Sequence, residues 1–188
     1  MITLSIPLLI LLALLVKPIY TSLFGEQITL KTVPVDPRDL FYGDYVYLDY
    51  EISHVPLEYI SKDLLTLLNE YKLEEEYNFW GSQTVYTSLE KDGEVYAVKN
   101  VSLEKPEEGL YLKGKVDNHV LLYENRPTSL YIDYDINRFY LEEGTGKHLE
   151  EQATSGQVQV EMKVKNGYGL IQDVTVKTYT EEEKNTEN

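Results

Sequence analysis

Apolar and polar side chains alternate one by one through most of the chain after residue 26, and a period of two belongs to strands with one buried face. Ile28 to Val33 alternates until Pro34 and Pro37 end it, and Tyr45 to Ile52 is a β-favouring run opened by Gly43-Asp44. Val85 to Leu89 and Val95 to Leu103 flank Lys91-Asp92-Gly93-Glu94, which reads as a hairpin with glycine free to take positive φ. Further strands are expected at 109–116, 120–124, 129–136 and 138–141, and a last hairpin at 157–164 and 170–179. In that hairpin Val158, Val160, Met162 and Val164 share one face, with Gln157, Gln159, Glu161 and Lys163 on the other. The 17 tyrosines among 188 residues fit the same picture, since aromatic side chains favour strands. The pattern predicts a mainly β (α+β) domain, an antiparallel β-rich sandwich or barrel-like fold with one amphipathic helix.

That helix is expected from Pro56 to Tyr71, where Leu57, Ile60, Leu64, Leu67, Leu68 and Tyr71 recur at steps of three and four. A shorter helix is expected over Lys147 to Ala153. The tail 181–188 has no apolar residue and is expected to be disordered.

The first 24 residues are different in kind, because they are mostly apolar and carry one charge, Lys17. At about 1.5 Å per residue such a helix can just match the roughly 30 Å of a hydrocarbon core. No Ala-x-Ala-like cleavage site follows, the nearest small pair being Thr21-Ser22, so an uncleaved transmembrane anchor is expected over a cleaved signal. The chain then divides into an anchor at 1–24, a β-rich domain at 25–180 and an acidic tail at 181–188. Lys17 lies after the apolar run, so charge does not set the orientation.

A net charge of -15, from 32 acidic and 17 basic residues, argues against nucleic acid as a partner, because neutralising phosphates needs a basic patch. The absence of cysteine removes disulfides and thiolate chemistry. No His-Glu-x-x-His pattern occurs, and His54, His119 and His148 are scattered. No cofactor is expected.

Gly43-Asp44-Tyr45-Val46-Tyr47-Leu48-Asp49-Tyr50 matches, letter for letter, the motif that names the GDYXXLXY proteins, and the chain resembles that family of membrane-anchored bacterial proteins. Asp36-Pro37-Arg38-Asp39 is similar to the family's lead-in, and Tyr111-Leu112-Lys113-Gly114-Lys115 to its central strand. The segment from Ile136 through Arg138 to Glu143-Gly144-Thr145-Gly146, with Leu149-Glu150, resembles its second motif. Asp135 departs from the pattern, which has glycine before the Ile-x-Arg step. The resemblance carries no established activity; it implies a cell-membrane protein with one span and its domain outside the cytoplasm.

Candidate binding residues are Arg38, Asp39, Asp44 and Tyr45 at the first motif, where charged side chains cluster at a strand entrance, and Arg138, Glu143, Gly144 and Gly146 at the second. Exposed amides after a glycine-rich corner can hold an anion. A Ser–Lys protease, such as the type I signal peptidases with their similar anchor and Gly-Asp strand, would need a serine between Thr29 and Gly43, and none occurs. Three classes remain: a non-enzymatic domain binding another membrane or envelope protein, a small-ligand or cation-binding domain, and an enzyme using Asp44, Arg138 and Glu143. The two motifs are expected to meet in space, with Asp39 or Asp44 near Arg138.

Overall fold

The computed structural model describes residues 2–33, 41–42, 45–72, 83–116, 120–123, 126–141 and 156–178. Among these residues a helix, α1 (Ile2–Phe24), leads into a β-rich domain with a second helix, α2 (Lys62–Lys72). The strands are β1 (Glu26–Lys31), β2 (Phe41–Tyr42), β3 (Tyr45–Tyr47), β4 (His54–Pro56), β5 (Gln83–Asp92), β6 (Val95–Ser102), β7 (Tyr111–Val116), β8 (Val120–Tyr123), β9 (Arg126–Tyr131), β10 (Arg138–Tyr140), β11 (Gly156–Lys165) and β12 (Tyr168–Thr178). They form four three-stranded antiparallel sheets, ordered β1-β11-β12, β10-β3-β2, β4-β9-β8 and β6-β5-β7. No closed barrel forms among the described strands.

The alternation survives where it is strongest. Val158, Val160, Met162 and Val164 of β11 are all buried and face Ile28 and Leu30 of β1 in one core. The turn joining β11 to β12 is tighter than the five-residue link the sequence suggests. Asn166 (φ 51°) and Gly167 (φ 77°) alone make it, with Lys165 paired to Tyr168, which is the left-handed two-residue turn that matches strand twist. The β5–β6 hairpin turns at Gly93 (φ 62°) as its sequence predicts.

Two elements are shorter than expected. The run 45–52 is a strand only at Tyr45–Tyr47, because the chain then changes partner: Tyr50 bridges Thr32 beside β1, and Glu51–Ser53 make a 3-10 turn. The helix expected from Pro56 begins at Lys62. Pro56 is extended (ψ 147°), Ile60 bridges Val101 of β6, and the Ser61 amide donates to the Val101 carbonyl, so these backbone groups serve the sheet. From Lys62 onward the expected face holds: Leu64 and Leu68 are buried and Leu65 and Leu67 pack against the same core. The expected helix 147–153 and the tail 181–188 lie outside the described residues.

α1 docks by its last turns. Thr21 is buried, the Gly25 amide donates to the Thr21 carbonyl, and the Lys163 ammonium donates to the Ser22 carbonyl, which satisfies groups a helix end leaves open. Gly25 is required there, since a Cβ would overlap the Thr21 carbonyl oxygen. Before Lys17 the helix touches little. Leu9, Ile10, Leu11 and Leu12 are each more than half exposed, and four consecutive residues at 100° steps cover the circumference. Among the described residues no helix is long and apolar enough to cross a membrane. The stretch of α1 whose side chains are all described, 9–24, reaches about 24 Å, short of the roughly 30 Å core.

Candidate functional site

β3 and β10 bring the two motifs together. Arg138 pairs with Tyr47, Phe139 with Val46 and Tyr140 with Tyr45, and the Leu48 amide extends the ladder to the Asn137 carbonyl. Strand alternation sends Val46 inward, where it is 1% exposed, and leaves Tyr45, Tyr47, Arg138 and Tyr140 on the other face. The Tyr45 and Tyr140 rings lie 5.9 Å apart, and the Arg138 guanidinium stands 5.9 Å from the Tyr45 ring centroid. Tyr140 is 71% exposed.

Of the residues singled out from the sequence, the structure therefore joins Tyr45 and Arg138. Arg38, Asp39, Asp44, Glu143, Gly144 and Gly146 lie outside the described residues, as does the expected approach of Asp39 or Asp44 to Arg138. Among the described residues no carboxylate forms an ion pair with Arg138.

The face continues into a cluster that the sequence reading missed. Tyr47 lies close enough to Tyr131 of β9 to influence its hydroxyl, and Tyr131 pairs in register with His54 of β4, their rings 5.3 Å apart edge to face. The His54 Nε2 lies 2.8 Å from Asp49 Oδ2, a contact made because the Glu51–Ser53 turn folds the chain back between them. Asp49 Oδ1 is buried without a hydrogen-bond partner. Burial, above all, raises the Tyr131 pKa, with Tyr47 and Asp49 adding to it. Asp49 and His54 five residues apart fit no known spacing, so only the partner switch at Tyr50 could have revealed them.

A cavity of about 190 Å³ lies beside His54, lined among others by Lys31, Glu51, Tyr59, Asp92 and Tyr96. Among the described residues its lining holds no Ser, Thr or Cys, and no group of three or more metal-binding side chains occurs. Asp49 can orient and charge-balance His54. The aromatic face offers broad, rigid contact area with polar tips, suited to burying a partner's surface.

The motif's remaining named residues are architectural. Leu48 and Tyr50 are 1% and 2% exposed, and the Tyr50 hydroxyl donates to the Ile136 carbonyl. Deeper still, the Tyr134 hydroxyl donates to the Ile52 carbonyl and meets Thr87 Oγ1 at 2.8 Å.

The family model for the GDYXXLXY protein matches residues 7–174, and the chain belongs to that family. No curated protein and no solved structure matches it.

Proposed function

We propose that this is a membrane-anchored, non-enzymatic domain that binds another protein of the bacterial envelope through the face of β3 and β10, with the domain outside the cytoplasm. The observation that carries the reading is the set of exposed Tyr47, Arg138 and Tyr140 with half-buried Tyr45 on one face of one short sheet. Tyrosine and arginine dominate protein-binding hot spots because they bury area and still hydrogen-bond. The anchor is supported by α1, whose apolar side chains at 9–12 and 14–16 are exposed all round and would be costly in water. The extracytoplasmic side rests on family resemblance.

A photo-crosslinking residue in place of Tyr140, in full-length chain in its native cells, should give a discrete adduct that Arg138→Ala weakens. The same substitution at Glu90, exposed on β5, should give none. Identical adducts from both positions, or none from Tyr140, would overturn the binding face. Alkaline carbonate should leave the full chain in the membrane pellet, and its release would overturn the anchor.

A further inference from the structure

In a chain with 32 acidic and 17 basic residues, a lysine usually finds a carboxylate, yet three lysines line one cavity of about 230 Å³ at the foot of α1. Lys17 comes from α1, and Lys113 and Lys115 from alternate positions of β7, while the backbone of 167–169 and the segment 134–136 close the sides. We propose that this cavity binds a phosphate-bearing anion, supplied by the headgroup of an anionic phospholipid.

The cavity is built from rigid parts. The β11–β12 turn reaches β7 closely enough for the Lys113 amide to donate to the Gly167 carbonyl at 2.9 Å. A side chain at Gly167 would stand 2.7 Å from the Tyr111 ring, so glycine permits the approach as well as the positive φ. Gly114, between the two lysines, is closed on its own side by Ile132 and Tyr134, which leaves Lys113 and Lys115 directed to solvent. Lys17 is held from the far wall, its ammonium 4.3 Å from the Tyr168 ring centroid.

The charge in this cavity is not balanced from within. Among the described residues Asp135 is its one acid, 3.4 Å from Lys115, and both side chains are more than half exposed, so the pair is weak. Neither Lys17 nor Lys113 has a carboxylate partner among the described residues. Three lysines lining one small cavity attract a multiply charged oxyanion, as lysine does for phosphate. The volume is below the roughly 300 Å³ at which drug-sized sites begin, which suits a headgroup or free ion over a larger ligand.

The source follows from where Lys17 sits. It follows exposed Leu14, Leu15 and Val16 and precedes docked Thr21, while Ile19, Tyr20, Leu23 and Phe24 stay exposed on the undocked side, so a helix embedded as far as Lys17 sets the cavity at headgroup level. Lipid as source thus rests on the membrane reading above, whereas the phosphate chemistry does not.

The test uses full-length protein in neutral detergent micelles, with thermal unfolding followed against phosphatidylglycerol, phosphatidylcholine and inorganic phosphate separately. Phosphatidylglycerol should raise Tm saturably and phosphatidylcholine should not. Lys17→Gln and Lys113→Gln should each weaken the response about fivefold, the size expected of one lysine at an anionic surface. Lys99→Gln, exposed on β6, should respond as the parent does. An equal effect of inorganic phosphate with the same lysine dependence would overturn the lipid source and keep the anion site. Identical responses from all variants, or no response to any phosphate species, would overturn the site itself. Release of the chain from membranes by carbonate, with lysine-dependent phosphate binding retained, would sink the membrane reading alone.

Discussion

The Tyr50 hydroxyl donates to the backbone carbonyl of Ile136 at 2.7 Å, across 86 residues, and so ties the end of the first motif to the start of the second. Tyr50 is 2% exposed, so Phe would fill the same space but strand a buried carbonyl. Tyr50→Phe should therefore cost about 1–3 kcal/mol in urea unfolding with an unchanged slope. A loss below about 0.5 kcal/mol would mean the carbonyl finds water.

Alkaline pH should destabilise the domain. Burial pushes the hydroxyls of Tyr50 and Tyr134 above the ordinary tyrosine range, with the Thr87 contact partly offsetting it at Tyr134. Below about pH 10 both folded and unfolded chains keep these protons and stability does not respond. Above it the unfolded chain loses them first, so stability falls as pH rises toward the folded values. Urea midpoints should hold to about pH 9.5 and then drop, and Tyr134→Phe should make the drop shallower. A flat profile through about pH 11 would refute this.

The facing of α2 can be checked with two substitutions on one helix. Leu64 is 0% exposed and Lys62 is exposed, so Leu64→Asp buries an unpaired charge while Lys62→Asp leaves its charge in water. The first should cost several kcal/mol or prevent folding, and the second less than about 1 kcal/mol. Equal melting temperatures would show the facing is wrong.

Asp135 has φ 58° and its amide donates to Asp133 Oδ1 at 2.8 Å, so a non-glycine residue is held in the left-handed region at the position where the family resemblance leads glycine to be expected. Aspartate tolerates this conformation better than most side chains, and a β-branched one tolerates it worst. Asp135→Gly should change stability by less than about 1 kcal/mol, whereas Asp135→Val should lose about 1–2 kcal/mol. Thermal unfolding of the pair separates backbone strain from loss of the Lys115 contact, since both variants remove that contact equally.

What the sequence determined by itself is whatever depends on neighbours along the chain. The alternation of Val158 to Val164 set which face of β11 is buried, Gly93 set the β5–β6 turn, and the spacing of Leu64 and Leu68 set the face of α2, whereas the sequence only bracketed the Asn166-Gly167 turn within a longer link. What only the tertiary structure decided is where partners compete. Pro56 to Ser61 have a helical apolar pattern, but Pro56 pairs with Ser129 of β9, Leu57–Tyr59 close a 3-10 turn and the Ser61 amide donates to Val101 of β6, while Tyr50 leaves the strand of its own motif to bridge Thr32. The Tyr47–Tyr131 approach and the lysine cavity arise from elements far apart in the chain, such as Lys17 and Gly169, and the Asp49–His54 pair from a local turn that only the partner switch at Tyr50 creates. Local periodicity carries no information on such meetings, because they are fixed by which sheet edges pair once the apolar faces are buried together.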